Sequence, residues 1–106
     1  MKFLLAQINP VVGDLEGNAN KIFYIASKAS SISADFVLTP ELSLWGYPAN
    51  DLLLKKNLIK NQYQILDQLA LDIYKKYRNL SIAVGIAEII NDSFFPNLYN
   101  SIDLID

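Results

Sequence analysis

The stretch TPELSLWGYPANDLL, residues 39–53, separates a short apolar segment from a long amphipathic one. Residues 35–38, directly before it, have the composition of a short buried strand, and the chain after it becomes strongly helical. One carboxylate, Glu41, follows the strand at once and is itself followed by Trp45 and Tyr47. The stretch therefore raises the question whether Glu41 opens a turn of helix or transfers protons in a pocket.

Two interpretations of Glu41 are compatible with the sequence. Thr39 as N-cap, Pro40 at the first helical position and Glu41 in the first turn satisfy the rules for a helix start. The functional interpretation rests on position, because open α/β sheets bind their ligands beyond the carboxyl ends of the strands. Apolar neighbours would make a carboxylate at that point easier to protonate, which suits a group that takes and returns protons near neutral pH.

The segments before this stretch predict a strand followed by a helix. Residues 2–8, KFLLAQI, form a mostly apolar run that indicates a buried strand. The segment VVGDLEGN then has turn chemistry, with Asn18 as the predicted N-cap and a helix from Ala19 onwards. Serines 30, 31 and 33 are expected to end this helix. The apolar residues that predict its buried face are Ile22, Ala26, Ala29 and Ile32.

The segments after the stretch predict one more helix and two strands. Apolar residues at alternating steps of four and three predict a long helix; they are Ile59, Tyr63, Leu66, Ala70, Ile73 and Tyr77. Residues 80–89 alternate bulky and small side chains, which is typical of a central strand covered on both faces. Residues 91–97 predict a hairpin-type connection and residues 98–106 a last strand. The resulting order, β-α-β-α-β-β, predicts an α/β fold with helices packed on one face of a sheet.

The composition excludes several classes of function. The 106 residues are 52% hydrophobic with a net charge of −2 and no basic stripe, so phosphate-mediated binding of nucleic acid is not expected. The apolar run at the N-terminus is too short for a signal peptide or a membrane span, and a cytoplasmic protein is expected. Cysteine and histidine are absent. Catalysis by these residues must therefore rest on carboxylates, lysines, hydroxyls or backbone dipoles, and no metal site or cofactor-binding site is expected.

Three stretches carry a resemblance to a known superfamily. They are LAQINPVVGDLEGNANKI at residues 5–22, TPELSLWGYPANDLL at 39–53 and LYNSIDLI at 98–105. Together they resemble the opening of the nitrilase, or carbon–nitrogen hydrolase, superfamily. Pro-Glu-Leu and Gly-Tyr-Pro are shared across that superfamily, whereas the following Asp-Leu-Leu is similar to the glutaminase domains of glutamine-dependent NAD synthetases.

The resemblance implies a four-layer αββα sandwich and a catalytic Glu-Lys-Cys triad. The glutamate of that triad falls on Glu41, which would act as the general base. None of the lysines in this sequence occupies the motif position, and the chain contains no cysteine. Residues 1–106 are therefore expected to be the N-terminal part of a longer glutaminase domain, inactive in isolation. Such a part is expected to leave a strand edge and an apolar sheet face uncovered.

The resemblance also implies partners. Glutamine would be the substrate, and the released ammonia would pass to a separate synthetase domain that uses ATP and Mg²⁺ to convert deamido-NAD to NAD. Pairing of such sandwiches makes a homo-oligomer the expectation. Two alternatives stay open: a free-standing amidase or nitrilase with a small amide substrate, and a non-catalytic module that uses its sheet for assembly.

Several other residues could take part in a site. Tyr47 could line a glutamine pocket or could simply close the loop onto the sheet. For Trp45 packing is the favoured interpretation, and Gly46 could supply a positive φ angle. Glu88, at the end of a predicted strand, is interpreted as solvated. Asn100 and Ser101 could bond the catalytic loop or only satisfy the backbone.

Overall fold

The computed structural model describes residues 1–40, 43–46, 56–92 and 95–105 of the chain. Its elements, in chain order, are β1 (Phe3–Leu5), α1 (Leu15–Ser31), β2 (Phe36–Leu38), α2 (Lys56–Lys76), β3 (Ser81–Asp92) and β4 (Phe95–Ile105). The predicted order β-α-β-α-β-β is therefore confirmed.

The four strands form one sheet in the order β1-β2-β3-β4. β1 pairs with β2, and β2 with β3, in parallel, while β3 and β4 are antiparallel neighbours. Parallel neighbours need a crossover connection, and α1 and α2 lie in the two crossovers. The predicted hairpin is confirmed, but its strands are longer than expected, because the pairing continues to Asp92 opposite Phe95.

Helix α1 begins earlier than the sequence predicts. Its N-cap is Asp14, whose carboxylate accepts a hydrogen bond of 3.0 Å from the amide of Gly17. The assignment of Asn18 as N-cap is therefore wrong. An aspartate satisfies the free amides of a first turn as well as an asparagine does, and its charge also suits the helix dipole. Asn18 lies inside the helix with its side chain fully buried.

The buried face of α1 agrees with the prediction except at its end. Ile22, Ala26 and Ala29 are buried, as predicted. Ile32 is 47% exposed, so its assignment to this face is wrong. The reason is that α1 ends at Ser31, within the predicted serine cluster, and Ile32 is the C-cap.

The buried face of α2 is rotated from the predicted one. Ile59, Leu66 and Ile73 are buried as predicted, whereas Tyr63 is 39% exposed. Gln62 and Leu69 complete the buried face instead. A pattern of apolar residues locates the buried face of a helix correctly only when every residue on that face is apolar. The buried face of α2 includes Gln62, so the pattern placed the face incorrectly.

The two faces of the sheet differ in cover. Strand residues, most of them alternate ones, form the core together with the two helices. They are Val37, Ile82, Val84, Ile86, Ala87 and Ile105, and Leu4 packs against them partly buried. The opposite face, here called the open face, carries apolar side chains that are 42% to 72% exposed: Phe3, Leu5, Leu38 and Leu104. The helices thus cover one face, as predicted, and the expected uncovered apolar face is present. The prediction that residues 2–8 are a buried strand is wrong in length and in burial: β1 is Phe3–Leu5, and Phe3 and Leu5 are exposed because no described residues cover the open face.

The predicted central strand is confirmed. All residues from Ile82 to Ala87 on β3 are buried. β3 lies between β2 and β4, so its backbone has a neighbour on each side. β3 is thus the buried strand to which the residues that follow β2 are hydrogen-bonded.

Candidate functional site

The two residues predicted to bind or react, Glu41 and Tyr47, lie outside the described residues. The structure does describe the chain on both sides of Glu41. Thr39 and Pro40 follow β2, and residues 43–46, here called the anchored loop, come next. All four residues of the anchored loop are buried. Thr39, Pro40 and the anchored loop, with the side chains that bind them, are here called the frame. The candidate site is described through the geometry of this frame.

Thr39 and Ser43 tie the frame to β3. The Thr39 amide and hydroxyl both donate to the Ala83 carbonyl, at 3.1 and 2.7 Å. The Thr39 and Ser43 hydroxyl oxygens are 2.7 Å apart, and the Ser43 hydroxyl accepts the Gly85 amide at 3.1 Å. The Ser43 amide in turn donates to the Pro40 carbonyl at 3.1 Å. The buried Thr39 and Ser43 thus go on binding the edge of β3 that faces β2 after β2 itself has ended.

Leu44 and Gln62 extend this pairing further along β3. The Leu44 amide donates to the Gly85 carbonyl at 3.1 Å. At the next position the side-chain amide of Gln62 binds both backbone groups of Ala87: Oε1 accepts from the amide at 2.8 Å, and Nε2 donates to the carbonyl at 2.6 Å. A helix side chain thus occupies the place that a strand residue would take.

Trp45 connects the anchored loop to Gln62. Its side chain is fully buried, which agrees with the predicted packing role, and its indole Nε1 donates to Gln62 Oε1. Oε1 therefore accepts from two donors, Trp45 and Ala87, which matches the two lone pairs of an amide oxygen. This bonding removes the cost of burying an amide among apolar side chains.

Asn18 holds the anchored loop from the other side. Its Nδ2 donates to the carbonyls of Leu44 and Val11 at 2.9 and 2.8 Å, and its Oδ1 accepts from the Val11 amide at 2.7 Å. The Gly13 amide also donates to the Trp45 carbonyl at 2.8 Å. The anchored loop is thus fastened to the chain before α1 as well as to β3.

Gly46 closes the anchored loop in a conformation that favours glycine. Its φ is +80°, as the sequence predicts. A Cβ built there would lie 2.8 Å from Val12 Cα and 2.9 Å from the Val12 nitrogen. The close approach of two backbone segments therefore requires glycine for space as well as for φ.

The remaining candidates lie on the β3–β4 hairpin. Glu88 is paired with Tyr99, Asn100 with Ala87 and Ser101 with Ile86. The backbone of β4 therefore places Asn100 and Ser101 beside the part of β3 that Gln62 and Ser43 bind from the other side. The side chains of Glu88, Asn100 and Ser101 lie outside the described part of the chain, so their roles stay predictions.

Sequence reasoning missed the three side chains that do most to build the frame: Asn18, Ser43 and Gln62. Gln62 carried a signal, since it lies three residues after Ile59 and four before Leu66, on the same helix face. A polar residue at such a position is buried only if it finds partners. Asn18 and Ser43 lie among residues of turn type, where a polar side chain gives no such signal.

Other classes of site find no support in the described part of the chain. Among those residues, no three acidic, histidine or cysteine side chains are grouped so that they could hold a metal ion. No described helix combines the length and the apolar character that crossing a bilayer requires. Every buried side-chain nitrogen or oxygen in the same residues has a hydrogen-bond partner.

Comparison with known sequences gives one consistent group of relatives. No protein-family model matches the chain. The glutamine-dependent NAD(+) synthetase of Synechocystis is 46% identical over 81 residues, which are 76% of this chain and 14% of that protein. The chain spans only 13% to 15% of the length of three such synthetases, from Acinetobacter baylyi, Synechocystis and Thermotoga maritima.

Comparison with solved structures identifies the fold. The glutamine-dependent NAD+ synthetase of Acinetobacter baumannii superposes with a TM-score of 0.79 at 32% identity, over 96% of this chain and 18% of that one. An amidase from Nesterenkonia, of the nitrilase superfamily, superposes with a TM-score of 0.71 at 20% identity, over 96% and 37%. The second likeness concerns the fold alone.

With the fold and frame described, these likenesses define the class of protein: the chain has the nitrilase fold, in a form consistent with its N-terminal portion. Within that class, the chain is homologous to the glutamine-dependent NAD(+) synthetases. The resemblance drawn from the three sequence stretches is thereby confirmed.

Proposed function

We propose that this chain is the N-terminal part of the glutaminase domain of a glutamine-dependent NAD(+) synthetase, with Glu41 as its general base. The observation that carries the proposal is the hydrogen bonding of Thr39 and Ser43 to β3. In the sequence Glu41 lies between these two residues, three positions after Leu38 at the carboxyl end of β2. The relatives of this chain, named for glutamine-dependent NAD+ synthesis, support the substrate and the product.

The proposed chemistry needs a thiol supplied by another part of the protein. Glu41 takes the proton of that thiol, and the thiolate attacks the amide carbon of glutamine. As the carbon–nitrogen bond breaks, Glu41 returns the proton to the departing nitrogen and ammonia leaves. Glu41 then takes a proton from water, the resulting hydroxide attacks the thioester, and the proton passes to the sulfur as glutamate departs. The thiol and the carboxylate are thus both regenerated.

Support for covalent chemistry comes from a protein of the same fold. A point mutant of the Nesterenkonia amidase shows covalent addition of the acetamide moiety of fluoroacetamide at its active-site cysteine. In this chain Tyr47 is proposed to line the glutamine pocket beside Glu41. A lysine outside residues 1–106 is proposed to complete the triad.

The remaining partners of the proposed enzyme act outside this segment. Ammonia is proposed to reach a separate synthetase domain that uses ATP and Mg²⁺ to convert deamido-NAD to NAD. The A. baumannii synthetase has been solved in complex with ADP, which is in keeping with an adenine nucleotide in such a protein. A cytoplasmic homo-oligomer is proposed for the whole protein.

Substitution of Glu41 tests the proposal in the full-length protein. Glu41→Gln keeps the size of the side chain but removes the base, so glutamine-dependent NAD synthesis should fall by about 10²- to 10⁴-fold. Synthesis driven by added ammonium chloride should stay at the wild-type rate, because ammonia bypasses the glutaminase step. The matched control is Glu16→Gln, since Glu16 is an exposed carboxylate in the first turn of α1.

The outcomes separate the rival functions. A Glu41→Gln protein that uses glutamine at the wild-type rate contradicts the proposal. A full-length protein that hydrolyses small amides and shows no ATP-dependent step is a free-standing amidase instead. A protein with neither activity is an assembly module. The isolated 106-residue chain is expected to release no more ammonia from glutamine than its own Glu41→Gln variant.

A further inference from the structure

Gln62 is the polar member of an otherwise apolar helix face. Among the described side chains of α2, those of Ile59, Gln62, Leu66, Leu69 and Ile73 are buried, and that of Gln62 is fully buried. A buried amide is tolerated only where its hydrogen bonds are made, and an apolar side chain of similar size would fill the same space without that requirement. The presence of the amide therefore calls for a role that an apolar side chain would not fill.

The hydrogen bonds of Gln62 supply that role. Gln62 binds the amide and the carbonyl of Ala87 and accepts from the indole of Trp45. We propose that Gln62 is a positioning residue for Glu41, acting through Trp45 and the anchored loop; this rests on the function proposed above. Gln62 touches neither the substrate nor the reacting atoms in this scheme.

The geometry explains how Gln62 acts at a distance. On the β2 side of β3, Thr39 binds Ala83, Ser43 and Leu44 bind Gly85, and Gln62 binds Ala87. Gln62 is therefore the last of the groups that bind this side of β3, and it lies just beyond the anchored loop. Its bond to Trp45 fixes the loop along the direction of β3, which apolar contact alone does not do because it is non-directional.

The link from the anchored loop to Glu41 is covalent and short. Ser43 lies two residues after Glu41, and Pro40 lies directly before it. A slip of the anchored loop along β3 therefore changes where the Glu41 carboxylate stands relative to the thiol. Catalysis is sensitive to such changes, because a misplacement of about 1 Å can cost about 10²-fold in rate.

Gln62→Met in the full-length enzyme is the first test, since methionine keeps an unbranched chain of similar length. We expect kcat for glutamine hydrolysis to fall by about 10- to 100-fold, with KM changed less, because positioning affects the reacting geometry. The matched control is Gln68→Met on the same helix: Gln68 is exposed and its amide donates to Asp72 Oδ1 at 2.9 Å. The control should keep the wild-type kcat.

Trp45→Phe keeps an aromatic ring but removes the indole donor, and it tests the route of the effect. We expect kcat to fall by several-fold, about 3- to 10-fold, since the bonds of Gln62 to Ala87 are retained. The Trp45→Phe/Gln62→Met double variant should lose no more than Gln62→Met alone, because the link is already broken. Losses that multiply independently would overturn the route through Trp45. Should Gln62→Met not fold, Trp45→Phe compared with Gln68→Met decides the question.

The outcomes distinguish this inference from the proposed function. Wild-type glutamine use by Glu41→Gln overturns both. Loss of activity in Glu41→Gln together with a wild-type kcat in folded Gln62→Met overturns only the positioning role. A loss in Gln62→Met that appears equally in ammonia-driven NAD synthesis would show general destabilisation, and it too overturns the positioning role.

Discussion

The last two residues of β4 show how different the two faces of the sheet are. Ile105 is 4% exposed and belongs to the core beneath the helices, whereas Leu104 is 54% exposed on the open face. Both residues are apolar, and they pair with adjacent residues of β3: Ile105 with Ile82, and Leu104 with Ala83. The difference therefore comes from what packs on each face and not from the composition of the strand.

This contrast shows how the candidate site is supported. The covered face holds β3 in place, and β3 supplies the backbone groups that bind Thr39, Ser43, Leu44 and Gln62. Substitutions on the covered face and in the frame should therefore be costly, and those on the open face should not.

The largest effect on stability is expected on the covered face. Ile82 is fully buried on β3, and Ile82→Ala should lower the free energy of unfolding of the chain by about 2–5 kcal/mol through lost burial and a cavity. Urea denaturation measures this change. A decrease in the free energy of unfolding of less than about 1 kcal/mol would contradict the contrast between the covered face and the open face.

The next effect is expected at the amide that holds the anchored loop from α1. Asn18→Ala removes the partner of the Leu44 carbonyl and of the Val11 amide, whereas the Val11 carbonyl keeps its bond from the Asp14 amide at 3.1 Å. The free energy of unfolding should fall by about 1–3 kcal/mol. Asn20→Ala, an exposed asparagine of the same helix, is the control and should change it by less than about 0.5 kcal/mol. Equal losses in both variants would contradict a special role of Asn18.

A comparable or smaller effect is expected at Gly46. Gly46→Ala should cost about 1–3 kcal/mol, because alanine is strained at φ +80° and its Cβ would press on Val12. Gly46→Asn separates the two causes, since asparagine tolerates positive φ better than alanine but carries the same Cβ. In denaturation of the two variants side by side, Gly46→Asn should recover part of the loss but not all of it. Full recovery would show that φ alone sets the cost, and equal losses would show that the Cβ contact does.

The smallest effect is expected on the open face, at a residue that is 72% exposed. Leu5→Ala should change the free energy of unfolding of the isolated chain by about 0.5 kcal/mol or less. In the full-length protein, the proposed αββα sandwich would cover this face, and the same substitution should then cost about 2–5 kcal/mol. Equal small effects in both proteins would contradict a second sheet at this position.

The order of elements could be predicted from the sequence because it depends on local periodicity. Steps of three and four residues identified α2, and the alternation around Val84 identified β3. The burial of β1 could not be predicted, since an apolar run does not show whether one face or both are covered. Phe3 and Leu5 look like core residues in the sequence and lie on the open face.

The frame of the candidate site was less predictable. Glu41 was found from its place after a strand and from the motif around it. Asn18 and Gln62 were not, because each binds backbone groups about 25 residues away in the chain: Leu44 for Asn18 and Ala87 for Gln62. Long-range bonds between a side chain and the backbone leave no periodic trace in a sequence.

The hairpin of β3 and β4 has a consequence for the order of folding. Asp92 pairs with Phe95, so the hairpin pairing needs little loop closure, whereas the β1–β2 and β2–β3 pairings each require a helical crossover to close first. The hairpin is therefore expected to form early and to act as a template on which β2 docks late. The residues around Glu41 would then be among the last to reach their native places, with φ-values near zero at Thr39 and Ser43 and higher ones at Val84.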